Sequence, residues 1–549
     1  LAEHWRDALT SIVEHGRHDG AGGLTPSDLP LVQLTQRDIE RVEAQLPSVR
    51  DIWPLSPLQN GLLFHASISE TTTDVYTTQI QLHLGGDVDS ERLHVAADRI
   101  LERYSNLRTA YLRDETGNAV QVVVESVRVP WRTIDLTVAE HDSTTADQLL
   151  SAEQALGFDM TAPPLIRFLL IRTAADRWTL GVTSHHILLD GWSMPILMKD
   201  LLVLYATRGE TSVLPRVRPY RNFLAWLSTR DIDDSLDAWR RAFAGLDDPT
   251  LISQRGSADA DSPEIAEKKF VLSGADAARL SDRASELGVT MNTLVQVAWG
   301  ILLSRLLTRD DVVFGTTVSG RPAELDGIES MVGLFINTVP VRFTQDANSR
   351  IEDLVHRTQR AQAELLDHHY VGLTDIQQTV GSGAVFDTLV VFESYPIDKS
   401  GLSAASSIDG MSVLGVDTKD ATHYPLTMVV VADAEITFTL KYRADLVDAD
   451  AAESMTTRFA RVLDSLADAS KGADTAGSID ILDGAERAQV LQTWNGVTET
   501  VAAELDSEAR DESLISLFEK QVLAAPDATA VVFGDERVTY RELDVRAEK

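Results

Sequence analysis

The chain has 549 residues, of which 44% are hydrophobic, and carries a formal net charge of −35. At ~100–200 residues per domain, this length predicts three or four domains, and the apolar fraction indicates folded domains rather than disorder. The excess of acidic side chains argues against nucleic acid as the main partner, because its phosphates would be repelled. The absence of cysteine excludes disulfides, Cys-ligated zinc, iron–sulfur clusters and a thiol nucleophile.

Targeting signals are not recognisable in the sequence. No apolar run reaches the ~18 residues that a membrane-spanning helix needs, and the first residues lack the pattern of a secretory signal peptide. We therefore expect a cytoplasmic protein that does not contact a membrane. The chain opens within a helical pattern and closes on VRAEK, and we interpret it as a piece of a longer protein.

The first half of the chain alternates helical and strand patterns. Residues 1–16 predict an amphipathic helix, which the glycine-rich stretch 19–28 ends. The further elements predicted for this half are a short helix near 35–45, a strand at 77–84, a helix capped by Asp89 or Ser90, a hairpin of 107–112 and 119–126, a strand at 177–186, and a helix from Met194 to about Tyr205 that Ser193 caps.

The second half repeats this mixed pattern after an acidic, irregular stretch at 231–264, which we interpret as a joint between two lobes. Its predicted elements are a helix at 291–307, strands at 311–320, 331–343, 386–396 and 434–446, and a helix at 450–468. Residues 471–510 are polar and typical of a linker, and a new pattern occupies 528–547. Together the halves predict an α/β fold.

One segment, TSHHILLDGWS at 183–193, concentrates chemically competent side chains between a strand and a helix. Neighbouring residues of a strand point to opposite faces, so one of His185 and His186 faces a cavity and the other faces packing. A neutral imidazole suits proton transfer near neutral pH. Asp190 either orients a histidine or locks the loop through an arginine, and Gly191 lets backbone approach a ligand closely.

Two plainer interpretations of the histidine pair stand beside the catalytic one. The histidines can be structural, or they can form half of a metal site. We expect no metal, because adjacent ligands rarely converge and no further histidine or carboxylate lies at ligand spacing.

In its context, HHILLDGWS resembles the HHxxxDG signature of the condensation domains of nonribosomal peptide synthetases. Further segments agree with motifs of that family in order and spacing, over about residues 45–470. These segments are WPLSPLQNGLLFH (53–65), RYSNLRTAY (103–111), YRNFLAWL (220–227), MVGLFINTVPVR (331–342), HHYVGLTDIQ (368–377) with FDTLVVFESYP (386–396), and HYPLTM (423–428). Seven motifs in order make chance agreement implausible.

The resemblance implies an α/β fold of two chloramphenicol-acetyltransferase-like lobes, which form a V with a central tunnel. A donor peptidyl carrier protein would present a peptidyl or aminoacyl thioester at one mouth, and an acceptor carrier an aminoacyl thioester at the other. Attack of the acceptor amine on the donor carbonyl would make this chain a peptide-bond-forming transferase of antibiotic or other secondary-metabolite biosynthesis. The carriers would supply the phosphopantetheine arms, so we expect no cofactor bound by this chain.

The same resemblance assigns roles within the motif. His186 either takes the proton of the amine or holds the amine in line, and His185 supports it. Asp190 is predicted to pair with Arg108, which would fix the loop and compensate the buried carboxylate. The N–H of Gly191 is a weaker candidate for steadying the substrate.

Three further side chains complete the candidate site. Asn337 lies in a segment that is expected to bridge the lobes, and we favour a structural role for it. Trp192 and His65 are assigned to substrate binding beside the tunnel, with plain packing as the favoured alternative for His65.

Related domain types are distinguished by small changes in the motif. Epimerization domains usually have Ser-Trp after the glycine, whereas this chain has Trp192-Ser193. Heterocyclization domains carry a doubled aspartate pattern, which is absent, and recruitment domains lose the second histidine or the glycine, which are both present. Condensation is therefore expected. Epimerization, another acyl transfer and a non-catalytic docking domain are the alternatives.

The flanks suggest a subtype and neighbours. HHILLDGWSMPIL and PLSPLQNGLLFHA look more like condensation domains that accept a D-configured donor. The expected divisions are an epimerization-domain tail (1–28, or a generic linker helix), a linker (29–48), an N-terminal lobe (49–245), a joint (246–264), a C-terminal lobe (265–470), a linker (471–510) and the truncated start of an adenylation domain (511–549). Adjoining epimerization and adenylation domains are expected partners, and no ATP chemistry is expected of the truncated segment.

Overall fold

Helices and strands alternate along the chain in a computed structural model. It describes residues 2–17, 22–46, 48–68, 74–138, 145–253, 265–393, 408–432, 435–471, 474–494, 513–533 and 536–547. The chain divides into two compact units, residues 1–479 and 480–549. The mixed α/β class predicted from the sequence is confirmed.

The strands of the described residues form four sheets. They are β1 (Val49–Pro54), β2 (Thr77–Gly86), β3 (Thr109–Arg113), β4 (Ala119–Val124), β5 (Trp131–Asp135), β6 (Ile166–Ala174), β7 (Arg177–His185), β8 (Ile265–Val271), β9 (Asp311–Val318), β10 (Asn337–Thr344), β11 (Thr388–Glu393), β12 (Met411–Lys419), β13 (Leu426–Ala432), β14 (Ile436–Arg443), β15 (Thr529–Phe533) and β16 (Glu536–Thr539). The sheets have the strand orders β12-β2-β7-β6-β5, β10-β9-β11-β13-β14-β8, β1-β4-β3 and β15-β16.

Helices cover these sheets, and those predicted at 1–16, near 35–45, after Asp89, from Met194, at 291–307 and at 450–468 are present. They are α1 (Ala2–His15), α2 (Gln36–Gln45), α3 (Pro57–Ile68), α4 (Ser90–Arg103), α5 (Ala146–Ala155), α6 (Ser193–Ala206), α7 (Tyr220–Leu227), α8 (Ile232–Ala242), α9 (Gly274–Leu287), α10 (Met291–Leu307), α11 (Ile351–Leu365), α12 (Leu373–Val380), α13 (Ala449–Ala467), α14 (Gly484–Ala488), α15 (Leu514–Ala524) and α16 (Tyr540–Ala547). Among the described residues no single helix is long and apolar enough to cross a membrane, although α9 and α10 reach that length and composition as a pair bent by 102°.

The five-stranded sheet, here called the N-terminal sheet, positions the histidine motif. Its middle strand β7 pairs antiparallel with both β2 and β6. Helices α4 and α6 share one apolar core with this sheet, while α5 packs a separate small cluster of Leu150, Leu169 and Ile171. A Cβ at Gly181 would lie 2.4 Å from Leu150, so the absence of a side chain there lets α5 approach. Strand β7 is therefore buried along most of its length.

The edge strand of the N-terminal sheet comes from the other half of the chain. Strand β12 pairs antiparallel with β2, from Met411 opposite Gly86 to Lys419 opposite Gln79. A register shift between Val413 and Gly415 interrupts the ladder. The halves of the chain are thus joined by backbone hydrogen bonds within a single sheet, which the prediction of two separate lobes had not included.

The six-stranded sheet, here called the C-terminal sheet, supports a nearly fully buried helix. In α10, twelve consecutive residues from Thr293 to Ser304 are buried, which explains why its sequence is apolar on all sides. A Cβ at Gly300 would lie 2.3 Å from the ring of Phe343, so this glycine lets the helix lie close to β10. The predicted bounds of this helix, 291–307, are confirmed.

The acidic stretch predicted to be irregular contains a helix, α8, so that interpretation is wrong at its start. The Asp231 side chain accepts a hydrogen bond from the N–H of Asp234 and caps the helix. Trp239 on its inner face is fully buried. The carboxylates lie in the first turn, where the helix dipole favours them, so their charge does not indicate a loop.

A second local prediction also needs correction. Ser193 is the first residue of α6 rather than its cap, because Trp192 occupies the cap position without a side-chain hydrogen bond. In the hairpin of β3 and β4, by contrast, the predicted antiparallel pairing is confirmed, with Tyr111 opposite Gln121. Asp89 caps α4 by accepting from the N–H of Arg92, which is one of the two predicted options.

In the described residues, the unit formed by residues 480–549 holds the α-helices α14, α15 and α16 and a hairpin. Asp483 and Glu486 form a capping box at α14. Strands β15 and β16 pair antiparallel, with Phe533 opposite Glu536. The predicted linker 471–510 is therefore partly helical in the residues that the structure describes, and its residues 472–473 and 495–510 lie outside them.

Candidate active site

The histidine motif lies where the middle strand of the N-terminal sheet ends. Strand β7 ends at His185, residues His186–Leu188 form one 3₁₀ turn, and α6 starts at Ser193. The backbone N–H of His186 donates to the carbonyl of Tyr76 at 2.9 Å. A rigid sheet thus presents the motif on a short connection, a common arrangement for catalytic groups.

His185 is completely buried and is held at both ring nitrogens. Its Nε2 lies 2.7 Å from Oδ2 of Asp74, and its Nδ1 accepts a hydrogen bond of 3.1 Å from the N–H of Ile187. Burial alone would raise the pKa of Asp74, but the hydrogen bond and the electrostatic interaction with His185 outweigh it, and the pKa is lowered. His185 therefore has no ring nitrogen left for a substrate.

His186 differs from its neighbour, because its imidazole makes no hydrogen bond to any described residue, and its Nδ1 is buried without a partner. Its main chain, in contrast, is fixed by the bond to Tyr76. A half-buried imidazole on a rigid backbone with no protein partner is suited to receive a hydrogen bond or a proton from a bound molecule. The predicted division of roles between the two histidines fits this geometry.

Two amides from earlier motifs hold the turn in place. Gln59 donates from Nε2 to the carbonyl of Ile187 at 3.1 Å, and Asn106 donates from Nδ2 to the carbonyl of Leu188 at 3.3 Å. Both amides are buried. The segments 53–65 and 103–111 therefore act as supports of the histidine turn, a function that their sequence did not reveal.

The buried carboxylate of Asp190 pairs with Arg321, not with Arg108, so the predicted ion pair is wrong. Arg321 Nη2 lies 3.1 Å from Oδ1 and 3.4 Å from Oδ2 of Asp190. Two backbone N–H groups also donate to this carboxylate, from Ser193 at 2.8 Å and Phe335 at 3.0 Å. The charge is compensated as predicted, but from the second half of the chain.

The guanidinium of Arg108 makes its hydrogen bonds to other groups, which explains why the predicted ion pair with Asp190 is wrong. Its guanidinium donates to the carbonyls of Leu101, Glu102 and Val124, at the ends of α4 and β4. Burial, together with the charge of Arg50, lowers the pKa of Arg108. Arg108 caps carbonyl groups at the ends of α4 and β4. It therefore supports the core beneath the histidine motif and not the loop that contains Asp190.

A second segment of the chain, residues 333–335, lies against the motif. The hydroxyl of Ser193 donates to the carbonyl of Gly333 at 2.8 Å and accepts from its N–H at 3.0 Å, and the N–H of Asp190 donates to the same carbonyl. A Cβ at Gly333 would lie 2.2 Å from the ring of Tyr220. The glycine is therefore required by the close approach of these segments.

Trp192 also lies against a segment from the second half of the chain. Its indole N–H donates to the carbonyl of Glu329 at 3.0 Å, and the guanidinium of Arg321 lies 5.6 Å from the ring centroid. The half-buried Gly191 precedes it. Substrate contacts of Trp192 and Gly191 remain predictions, since the indole N–H is used within the protein.

Asn337 has a structural position at the start of β10. Its Nδ2 donates to the carbonyls of His369 at 2.8 Å and Val371 at 2.6 Å. These bonds tie β10 to the segment before α12. In the described part of the chain, no group of three or more histidine or acidic side chains is arranged to hold a metal ion.

Comparison with known proteins identifies the family. The model of the family described as Condensation domain matches residues 49–491. This chain belongs to the condensation-domain family.

Relatives of this condensation domain include synthases of much greater length. Bacitracin synthase 1 from Bacillus licheniformis is 30% identical over 561 residues, covering all of this chain and 10% of that protein. Surfactin synthase subunit 3 from Bacillus subtilis (strain 168) is 30% identical over 507 residues, covering 91% of this chain and 39% of that protein. The chain thus spans less than half the length of these relatives, which belong to antibiotic and secondary-metabolite biosynthesis.

Solved structures share the fold. The X-domain from teicoplanin biosynthesis has a TM-score of 0.64 and 25% identity, covering 78% of this chain and 97% of that one. The first condensation domain of the calcium-dependent antibiotic synthetase, in complex with a substrate analogue, has a TM-score of 0.63 and 18% identity, covering 78% and 99%. These neighbours support the chloramphenicol-acetyltransferase-like fold expected from the sequence.

Sequence reasoning missed three residues of this condensation domain that the site depends on. Arg321 gave only a weak signal, an arginine directly after Gly320 at the end of a predicted strand. Asp74 precedes β2 and belongs to none of the motifs that carried the resemblance. Gly333 lies inside a quoted motif, but nothing local shows that Tyr220 packs against it.

His65 lies in a cluster of rings that joins α3 to the loop before β13. Its ring stacks on His423 with centroids 4.2 Å apart, and Nδ1 of His423 is hydrogen-bonded to the hydroxyl of Tyr76. Burial lowers the pKa of His65, while the charge of Asp74 acts in the opposite direction. His65 therefore packs against a specific partner, His423, as the packing interpretation expects. A contact between His65 and substrate remains a prediction.

The ring cluster predicts that acidification weakens the folded state. Burial, with the charge of His65 as a second cause, lowers the pKa of His423 to about 3, whereas an unfolded histidine titrates near 6.5. Between these values only the unfolded chain binds the proton. The free energy of unfolding should therefore fall as the pH drops from about 6.5, by at most about 1.4 kcal/mol per pH unit.

The measurement is the thermal midpoint of wild type and His423→Gln between pH 7.5 and 4.5. We expect the wild type to be the more stable at pH 7.5, and its advantage to shrink as the pH falls. A difference between the two proteins that stays constant over this range would contradict the prediction.

Proposed function

We propose that this condensation domain joins an acceptor amine to a donor thioester carbonyl, with both substrates tethered to carrier proteins and the donor D-configured. The observation that carries the proposal is the contrast between the histidines. His185 is fully bonded within the protein, whereas the imidazole of His186 has no protein partner among the described residues. A reacting amine is a suitable occupant for that free position.

Attack of the acceptor amine on the donor thioester needs little chemical activation by the protein. An α-amine with a pKa of ~8 is partly unprotonated at neutral pH, but it must lose a proton as the C–N bond forms. His186 accepts this proton or aligns the amine, and the thiol of the donor arm leaves. Holding two tethered reactants together supplies much of the acceleration, since effective molarities of ~10⁵ M or more are possible.

The preference for a D-configured donor is supported by sequence resemblance only. The segments HHILLDGWSMPIL and PLSPLQNGLLFHA, and the helical start of the chain before Asp28, resemble a condensation domain downstream of an epimerization domain. Helix α1 is amphipathic, with Trp5 and Leu9 exposed. Carrier proteins and adjoining domains are the proposed partners, in keeping with the small share of the longer relatives that this chain covers.

The decisive experiment follows the acceptor carrier by mass spectrometry. The wild-type chain is mixed with a D-terminated peptidyl donor carrier and an L-aminoacyl acceptor carrier, and in parallel with the L-terminated donor. We expect the acceptor to gain the mass of the donor acyl group, at least tenfold faster from the D-donor. The matched control is an acceptor carrier protein that bears no amino acid. Its mass should not increase.

Other outcomes identify the rival functions. Equal rates from both donors would reject the stereochemical part of the proposal. An unchanged acceptor with a donor that loses configurational purity would indicate epimerization. Carrier or partner binding without any reaction would favour a docking role.

A further inference from the structure

Residues 74–76, the segment directly before β2, contact both histidines of the motif. Asp74 Oδ2 accepts from His185 Nε2 at 2.7 Å, and the carbonyl of Tyr76 accepts from the N–H of His186 at 2.9 Å. The segment is itself ordered by the bond from the N–H of Tyr76 to Asp74 Oδ1, at 3.0 Å. One short stretch outside the recognised motifs therefore helps to fix the turn that carries His186, together with Gln59 and Asn106.

The two bonds of His185 fix its tautomer. Its Nδ1 accepts from the N–H of Ile187, so this nitrogen carries no proton. The neutral ring must then carry its proton on Nε2, where the carboxylate of Asp74 accepts it. A ring protonated on Nδ1 instead would place two donors opposite each other at the start of the turn.

The bond at Nδ1 is also the cap of the 3₁₀ turn His186–Leu188. The side chain of His185 occupies the cap position and accepts from the second residue of that turn. Any change in the ring of His185 is therefore passed directly to the backbone that holds His186. The side chain of His185 is fully buried and that of Asp74 is 13% exposed, so little water can reach the pair to replace a lost hydrogen bond.

We propose that Asp74 is a positioning residue for condensation: it holds His185 in the Nε2–H tautomer, and His185 in turn fixes the turn that aims the imidazole of His186. The carboxylate touches no reacting atom. Its effect on catalysis rests on the function proposed above, whereas its effect on the tautomer of His185 does not. The two can be tested separately.

The first arm of the test is spectroscopic and needs no turnover. In a proton NMR spectrum, a buried imidazole N–H bonded to a carboxylate gives a resonance downfield of the backbone amides. The resonance is assigned to His185 if it is absent from the spectrum of His185→Gln. We expect this resonance in the wild type and in Asp417→Asn, and its loss or large shift in Asp74→Asn. Asp417 is the matched control, because it makes a 2.8 Å bond to His83 at an exposed site.

The second arm measures steady-state peptide formation from loaded carriers at varied concentrations of the acceptor carrier. Asp74→Asn should lower kcat about 10²-fold with little change in the KM for the acceptor, as expected for a misplaced catalytic group. Asp74→Glu, which keeps the carboxylate, should regain at least tenfold of that loss, and Asp417→Asn should match the wild type. The Glu variant also serves if Asp74→Asn does not fold.

The outcomes separate the two proposals. A resonance that is unchanged in Asp74→Asn, or a wild-type kcat in a variant that has lost it, would overturn the role of Asp74. Loss of the resonance together with the fall in kcat supports it. A wild-type chain that makes no peptide contradicts the proposed function, and the spectroscopic arm then still decides whether Asp74 sets the tautomer.

Discussion

Replacement of Arg321 by alanine is expected to lower the free energy of unfolding by about 3–5 kcal/mol. The side chains of Arg321 and Asp190 are 6% and 0% exposed and lie 3.1 Å apart. Without the guanidinium, the carboxylate stays buried with two backbone N–H donors as its remaining described partners. The variant also loses the contact of the guanidinium with the ring of Phe335, 4.0 Å from the centroid.

Urea unfolding of the wild type and Arg321→Ala measures this loss. The matched control is Arg279→Ala, which removes an arginine paired with Asp464 at 2.6 Å where both side chains are about half exposed. Exposed pairs of this kind contribute at most about 1 kcal/mol. If both variants lose the same free energy of unfolding, the buried pair of Arg321 and Asp190 contributes no more than an exposed pair, which would contradict the prediction.

A double variant separates the unpaired charge from lost packing. Asp190→Asn removes the charge while its amide oxygen still accepts from the backbone, so Arg321→Ala with Asp190→Asn should be more stable than Arg321→Ala alone. A double variant that shows the sum of the two single losses would contradict the coupling between the side chains.

Replacement of His186 by alanine is expected to lower the rate of peptide formation by about 10²–10⁴-fold, the usual contribution of a positioned acid–base group. The free energy of unfolding should change by less than about 1 kcal/mol, because the imidazole makes no hydrogen bond to a described residue. The measurement is single-turnover transfer between loaded carriers, with urea unfolding of the same preparations. A transfer rate within threefold of the wild type would contradict a catalytic role.

His186→Gln distinguishes the two roles left open by the sequence. Glutamine can hold the amine by a hydrogen bond but cannot take its proton. A Gln variant as slow as His186→Ala indicates a proton acceptor, and one within tenfold of the wild type indicates a positioning group. His65→Gln is the comparison for a nearby ring that the structure places in packing, and its rate should fall less than tenfold.

Local patterns were sufficient for the elements with a strong helical or strand pattern, whereas others, among them β5, β6, β8, α9 and α11, were not predicted. Helix α10 is apolar on all sides, which is the pattern of a buried helix, and strand β7 is likewise continuous in sequence. Helix α8 was missed, since acidic residues at a helix start resemble a loop. Strand β12 was also missed, because its partner β2 is more than 300 residues away and no local pattern specifies so distant a pairing.

The sequence by itself determined the α/β class, the family and the position of the candidate site, because the HHILLDGWS motif and its neighbours are contiguous and ordered along the chain. Only the tertiary structure decided which groups serve that site. Asp190 pairs with Arg321 rather than Arg108, and Asp74 holds His185. A buried charge is paired with whichever opposite charge folding brings within hydrogen-bond distance, and sequence spacing does not contain that distance.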